Sequence, residues 1–222
     1  MKTILTSLLA SLFCAGLLAA APETPAPQRK FTWVDPADPA IADIRRLGER
    51  MILQVANNLI GEVDRVLATK KPEAAVDELH LKQPPIPATM AGRPHITAVK
   101  RTSLRVRNPA NLPDSADLAA LLSIQMDLMD GNSPPKVLVQ LVEADGAAPA
   151  EWRIYRPIAV SPQCLVCHGR ADSLAPGVKA KLVLSYPEDK ALDYDAYEWR
   201  GVIRASLVAP AEPPAPKRKP NP

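Results

Sequence analysis

The first part of the chain has a long amphipathic pattern. Between Asp38 and Ala68, apolar side chains recur at three- and four-residue steps, the spacing of a helix with one buried face. Asp38 can cap this helix, and Pro39 suits its first position. A shorter helical pattern covers 72–81 and ends before Pro84. We therefore predict two consecutive helices.

Strand patterns dominate the rest of the domain. Residues 96–107 alternate and are β-branched, which predicts a strand. Two more apolar runs are separated by a turn-rich link and predict an antiparallel pair. The remaining predicted elements are a helix from Asp114 or Ser115 to Met129, strands at 136–143 and 152–160, a helix at 175–184 and a strand at 201–208. Helices followed by a sheet with a helical insertion indicate an α+β fold.

The two ends of the chain differ in composition from the middle. Residues 1–21 combine a basic start, an apolar run and small residues, the order of a secretory signal peptide. The run is close to the ~20 residues that span a bilayer, so a retained anchor is the alternative. Residues 22–30 form a Pro-rich linker, and 210–222 form a Pro-rich basic tail that we expect to be solvated. We expect one periplasmic or secreted domain at 31–209, with no membrane span after cleavage.

Charge and composition exclude several function classes. The formal net charge is +3, and only 4% of the residues are aromatic. A nucleic-acid-binding surface needs a basic patch with interleaved aromatic side chains, which this sequence lacks. The sequence also has no catalytic triad, no phosphate loop and no paired acid–base carboxylates. We therefore expect neither nucleic-acid binding nor enzymatic turnover.

The stretch Cys164–His168, here called the pentad, has the pattern C-x-x-C-H. Two cysteines at this spacing lie on one side of a helical turn and can reach both vinyl groups of one porphyrin. The next residue, His168, can then bind the iron as an axial ligand. In an exported chain, the pentad predicts one covalent haem c attached through Cys164 and Cys167.

Three other chemistries use two cysteines at this spacing. A zinc site needs four ligands, which His80 and His95 could complete, although they have no recognised spacing. A redox dithiol needs the alternating pattern of a thioredoxin fold, which the chain lacks. A structural disulfide would close a strained four-residue loop and leave His168 without a role.

A sixth iron ligand has few candidates. Met51 belongs to the apolar stripe of the first helix. Met126 and Met129 are expected in the core beneath the predicted helix that ends at Met129. His80 ends the short second helix, and His95 opens a strand. Both histidines remain candidates at this point.

Several stretches of the chain resemble a known family, the Tll-like haem-c sensor or redox domains. These stretches are V-K-R-T-S-L-R-V-R-N-P-A-N-L-P (99–113), Y-R-P-I (155–158), C-L-V-C-H-G (164–169), Y-P-E-D-K-A (186–191) and R-G-V-I-R-A-S (200–206). The resemblance implies a PAS-like α+β fold with an antiparallel sheet, a long N-terminal helix and a CxxCH haem-binding insertion. It also implies Cys164 and Cys167 as thioether positions and His168 as the proximal ligand.

The resemblance further implies a distal ligand from the second helix, where some members carry a cysteine. That position falls on Leu79 or His80, so a thiolate is absent here. His80 is the natural substitute and would give a bis-histidine haem. Arg107 and Arg156 lie in the matching stretches, and we hold them as candidates for the haem propionates. Together with Arg101 and Arg105, Arg107 is otherwise expected on a solvated strand face.

These features predict an exported monohaem c-type cytochrome for one-electron transfer or redox sensing. A haem-based sensor of gases or other small ligands, with a displaceable distal ligand, is the alternative. A haem-free Cys2His2 zinc or CxxC dithiol protein is the lower alternative. The expected partner is a redox protein or a separate signalling protein.

Overall fold

The computed structural model describes residues 28–79, 94–146 and 148–209, and the predicted α+β class is confirmed. Its strands and helices are β1 (Phe31–Val34), α1 (Ala42–Thr69), α2 (Pro72–Leu79), β2 (His95–Thr102), α3 (Ser115–Met129), β3 (Leu138–Val142), β4 (Glu151–Ala159), α4 (Leu165–His168), α5 (Pro176–Ser185) and β5 (Trp199–Val208). Short 3-10 turns at Pro39–Ile41, Pro109–Asn111 and Pro162–Cys164 precede α1, α3 and α4. Within these three ranges, no helix is long and apolar enough to cross a membrane. The predicted signal peptide (1–21), most of the linker (22–30), His80 and the basic tail (210–222) lie outside the described residues.

The five strands form one antiparallel sheet in the order β1-β3-β4-β5-β2. The predicted antiparallel pairing of β3 with β4 is confirmed, with Val139 opposite Ile154. The edge strand β1 was not predicted. Residues 160–198 connect the neighbouring strands β4 and β5, and they carry the pentad and α5. The arrangement is consistent with a PAS-like fold.

Helix α1 packs on one face of the sheet. Its buried side chains Ile52 and Val55 meet Ile154 of β4 and Leu207 of β5 in the main apolar core. The two layers approach closely at Gly48, where a Cβ atom would lie 2.5 Å from the Ile154 side chain. This close approach fixes α1 against the central strands, beside the connection that carries the pentad.

Helix α3 covers the opposite face through an apolar cluster and a buried carboxylate. Asp114 caps the helix, as predicted, and forms a capping box with Asp117. Asp117 is fully buried, and its Oδ1 accepts hydrogen bonds from Arg204 at 2.8 Å and from the Tyr155 hydroxyl at 3.2 Å. Lys100 donates to Oδ2 at 3.1 Å. Charged and hydroxyl donors therefore satisfy this carboxylate, which a buried charge requires.

Two packing predictions around α3 and β2 were wrong. Met126 and Met129 are 65% and 78% exposed, because they lie on the outer side of α3 and not against the sheet. Strand β2 ends at Thr102, five residues earlier than the alternating pattern predicted. Arg105 and Arg107 therefore lie in the loop after β2 and do not share a strand face with Arg101. This shorter strand leaves the loop free to reach the pentad.

Candidate functional site

The pentad lies on a short helical segment directly after β4. The turn Pro162–Cys164 continues into α4, so Cys164 and Cys167 stand one helical turn apart. Gly169 ends the segment, and a Cβ atom there would lie 2.7 Å from the Leu165 carbonyl oxygen. Backbone hydrogen bonds from Tyr194 to the His168 carbonyl, at 3.0 Å, and from Asp193 to the Gly169 carbonyl, at 2.9 Å, fasten the end of the segment to residues 193–194. The pentad is therefore held in a fixed conformation.

Both cysteines carry free, half-buried thiols. Cys164 packs against Val160 and Tyr194, and the Ser161 hydroxyl lies 3.2 Å from its sulfur. Cys167 packs on the apolar cluster that joins α2 to α5, which includes Val76. Burial raises the pKa of the Cys167 thiol, and the neighbouring Cys164 and Asp189 raise it further against the lowering effect of Arg107. A thiol of this kind is a poor redox nucleophile, because the thiolate is the reactive form.

His168 is oriented by the backbone of the loop before β5. Its Nδ1 lies 2.7 Å from the carbonyl oxygen of Ala191. Since a carbonyl can only accept, Nδ1 carries the proton and Nε2 keeps its lone pair. Burial lowers the pKa of His168 well below its usual value, and the nearby guanidinium groups of Arg107 and Arg200 lower it further. His168 is thus a neutral imidazole with Nε2 available, the form that binds a metal.

Arg107 ties the loop after β2 to the pentad. Its Nε donates to Asp189 at 2.9 Å, and its Nη2 donates to the carbonyl oxygens of Cys167, at 2.5 Å, and Ala191, at 3.2 Å. The Arg107 side chain is only 12% exposed, and the Asp189 side chain only 7%. A backbone hydrogen bond from Lys190 to Val106 at 2.9 Å joins the same two loops. The three segments therefore form one hydrogen-bonded unit.

Tyr194 lies between the histidine and two further arginines. Its ring meets the His168 ring edge to face, with centroids 6.2 Å apart. The guanidinium of Arg105 lies 4.0 Å from the centroid of the Tyr194 ring, and that of Arg200 lies 5.2 Å from it. Burial lowers the pKa of Arg200, and Tyr194 partly offsets this effect. The surroundings of His168 are consequently rich in buried or half-buried positive charge.

The other candidate residues lie in different places. His95 begins β2 opposite Val208, whereas the pentad adjoins the Trp199 end of β5. The ten residues of β5 separate these ends by about 30 Å, so His95 is too remote to share one metal with the cysteines. Arg156 is half-buried on β4 opposite Ile203. The predicted contacts of Arg156 and Arg107 with a haem remain predictions. His80 directly follows Leu79, the last described residue of α2, and lies outside the described residues.

Sequence reasoning missed the groups that hold the pentad in place. Asp189, Ala191, Tyr194 and Arg200 were not singled out, and Arg107 was considered only as a candidate for the haem propionates or as part of a solvated strand face. Their signal was nevertheless present, since the stretches 99–113, 186–191 and 200–206 contain all of them except Tyr194. These stretches converge on the pentad in the folded chain. No group of three or more His, Cys, Asp or Glu side chains suited to a metal ion occurs among the described residues.

Comparison with known proteins identifies one family and one solved structure. A model of the Tll0287-like family matches residues 50–207, which include the pentad and most of the sheet. The solved structure, titled as the crystal structure of the cyanobacterial heme-protein Tll0287, is 24% identical and aligns with a TM-score of 0.38. The alignment covers 50% of this chain and 60% of that one. No curated protein matches the chain.

Proposed function

The chain belongs to the Tll0287-like family, and on that premise we propose that it is an exported c-type cytochrome that binds one haem covalently through Cys164 and Cys167. The observation that carries this proposal is the pairing of two free thiols on one helical turn with a histidine whose Nδ1 donates to Ala191. This donor set suits a porphyrin with two vinyl groups and an iron that needs an imidazole. The heme named for the related solved structure supports the same cofactor.

The residues around the pentad fit a haem in charge as well as in donor chemistry. Haem carries two propionate groups, and Arg200 and Arg107 bring positive charge close to His168. Each cysteine would add its S–H across one vinyl double bond, forming an S–C bond and placing the hydrogen on the other vinyl carbon. Once bound, the iron supplies a one-electron Fe(III)/Fe(II) couple. The chain attaches the cofactor, offers His168 Nε2 and surrounds it with half-buried, cation-rich protein.

We propose His80 as the distal ligand, although it lies outside the described residues. The proposal is supported by α2, since Val76 of this helix shares an apolar cluster with Cys167 and the helix ends one residue before His80. The variant His80→Ala should turn a six-coordinate spectrum into a five-coordinate or water-bound one and strengthen carbon monoxide binding. His95→Ala is the matched control, because His95 lies at the far end of β2. If His95→Ala alone changes the spectrum, the distal assignment is wrong.

We propose one-electron transfer or redox sensing as the role of the haem, with a redox protein or a separate signalling protein as the partner. A six-coordinate iron leaves no position for a small ligand and favours this role. Sensing of gases or other small ligands is the alternative, supported by the likeness to a PAS-like fold, which is an argument from analogy. Carbon monoxide titration of the reduced protein separates the two roles. Micromolar or tighter binding to the wild type would favour the sensor, and weak or no binding the carrier.

The attachment itself is tested by pyridine haemochrome spectra of protein exported from a host with cytochrome c maturation. We expect a c-type spectrum that survives acid–acetone extraction. Cys164→Ala and Cys167→Ala should each shift the α-band towards that of a singly attached haem, and the double variant should lose the band after extraction. Zinc in place of haem would support the haem-free alternative. A reversible disulfide between Cys164 and Cys167 without haem would support the CxxC dithiol alternative, although the raised pKa of the Cys167 thiol weighs against it.

Fractionation of the host cells tests the proposed periplasmic or secreted location.

A further inference from the structure

The carbonyl oxygen of Ala191 is shared by two side chains of the site. His168 Nδ1 lies 2.7 Å from this oxygen, and Arg107 Nη2 lies 3.2 Å from it. Building on the function proposed above, we propose that Arg107 is a positioning residue that weakens the His168–Ala191 hydrogen bond through this shared oxygen and thereby raises the reduction potential of the haem iron.

The effect follows from the electronics of a hydrogen-bonded imidazole. A carbonyl that accepts from Nδ1–H increases the electron density at Nε2 and makes the histidine a stronger metal ligand. A guanidinium that donates to the same oxygen draws electron density from it, so the oxygen accepts less strongly from His168. When the histidine is a weaker donor, ferric iron loses more stabilisation than ferrous iron does. Uptake of one electron from the redox partner, which converts Fe(III) to Fe(II), therefore becomes more favourable.

The Arg107 guanidinium is held in the position that this effect requires. Its Nε donates to Asp189 Oδ2 at 2.9 Å, while Asp189 Oδ1 accepts from the backbone N–H of Ala191 at 2.8 Å. The carboxylate thus fixes both the guanidinium and the residue that carries the shared carbonyl. The second contact of Nη2, to the Cys167 carbonyl, adds a further restraint on the same nitrogen. The guanidinium cannot move away from Ala191 without breaking these bonds.

Arg200 provides a control within the same electrostatic environment. Its guanidinium also lowers the pKa of His168, so it lies within electrostatic range of the ligand. Its Nη1 donates to the Arg105 carbonyl at 3.0 Å and approaches the Tyr194 hydroxyl at 3.5 Å, and its described hydrogen bonds do not include Ala191. Replacement of Arg200 by glutamine therefore removes a nearby charge and leaves the shared carbonyl in place.

The test combines redox potentiometry with resonance Raman spectroscopy of the ferrous iron–histidine stretch. The Raman spectra are recorded with each variant in a His80→Ala background, because the proposed His80 ligand would otherwise occupy the sixth position of the iron. We expect Arg107→Gln to lower the reduction potential and to raise the stretching frequency, because His168 becomes the stronger donor. Arg200→Gln should lower the potential through charge alone and leave the frequency unchanged. Asp189→Asn removes the negative charge beside the Arg107 guanidinium, which should then draw more electron density from the Ala191 oxygen. This variant should therefore lower the stretching frequency, the opposite of the change expected for Arg107→Gln.

An Arg107→Gln protein with full haem content and an unchanged frequency would overturn the inference. If that variant fails to fold, Asp189→Asn decides the question: a lowered frequency supports the inference, and an unchanged or raised frequency overturns it. Haem content is measured separately in every variant. Wild-type protein without covalent haem would overturn the proposed function and this inference with it, whereas normal haem content with an unchanged frequency overturns this inference alone.

Discussion

The Arg107 guanidinium donates to the Asp189 carboxylate at 2.9 Å across a sequence separation of 82 residues. This ion pair joins the loop after β2 to the loop before β5, and both loops contact the pentad. Because the two side chains are largely buried, removal of one partner leaves the other charge without compensation.

The first prediction concerns the stability of this unit. Asp189→Ala should lower the free energy of unfolding by about 3 kcal/mol, because a buried guanidinium loses its counter-ion. Urea denaturation of the haem-free chain measures the effect without any contribution from the cofactor. Asp172→Ala is the control, because the side chains of Asp172 and its partner Arg170 are 74% and 70% exposed. This substitution should change the free energy of unfolding by under about 0.5 kcal/mol. Equal losses in the two variants would contradict a structural role for Asp189.

The second prediction concerns the carboxylate beneath α3. Asp117→Asn should lower the free energy of unfolding by about 3–4 kcal/mol, because Arg204, Arg153 and Lys100 all direct positive charge at the buried Asp117 carboxylate. The comparison is Asp127→Asn on the same helix, which is expected to cost under about 0.5 kcal/mol. A small effect for Asp117→Asn would show that the three cations find other partners.

The third prediction concerns acid stability. Burial raises the pKa of the Asp114 carboxyl, but the hydrogen bonds from Arg153 and from the Asp117 backbone outweigh this effect and bring the pKa to about 2. Because the pKa of this carboxyl is lower in the folded state, its charge stabilises the fold at pH values above the ordinary pKa of 3.8. This contribution is lost as pH falls towards 2. Since the side chain is 38% exposed, we expect about 1 kcal/mol.

Asp114→Asn isolates this contribution, because asparagine keeps the helix cap and removes the charge. The stability gap between wild type and variant should be constant from pH 5 to 7 and should narrow progressively as pH falls from about 4 towards 2. A gap of undiminished size at about pH 2 would contradict the role of the charge.

The fourth prediction compares two glycines. Gly201 has φ +147°, and a Cβ atom there would lie 2.3 Å from the Thr102 carbonyl oxygen. Gly201→Ala should therefore destabilise the protein by about 2 kcal/mol or more, through backbone strain and a clash with β2. Gly61→Ala should instead stabilise it by up to about 1 kcal/mol, because Gly61 is helical and an added Cβ would meet no atom within 4 Å apart from the adjoining residues and backbone of its own helix. Thermal unfolding of both variants tests the difference in sign.

Local patterns determined the elements that sequence reasoning predicted well. The capping chemistry of Asp114 and the helical spacing through Met51 depend on neighbours a few residues away, and both predictions were confirmed. The hydrophobic pattern failed for α3, where it does not show which side of the helix faces the sheet. Helix α3 is apolar on most sides, so its sequence could not tell that Leu121 faces the sheet while Met126 faces outward.

Long-range contacts account for the remaining differences. The edge strand β1 has only four residues and gains its strand character by pairing with β3. The alternation through Arg107 continued past the true end of β2, because a sequence pattern does not record that the pairing with β5 stops at Thr102 and Val202. The group that orients His168 is a backbone carbonyl of Ala191, which every residue type possesses. Only the folded chain brings that oxygen to the pentad.

The most direct test of the central claim is the mass of the exported protein under denaturing conditions, followed by mass spectrometry of its peptides. The account predicts a polypeptide heavier by one haem, with the added mass on the peptide that contains Cys164 and Cys167 and absent from the double alanine variant. A polypeptide of unmodified mass, produced in a host that attaches haem to a control cytochrome c, would contradict the account.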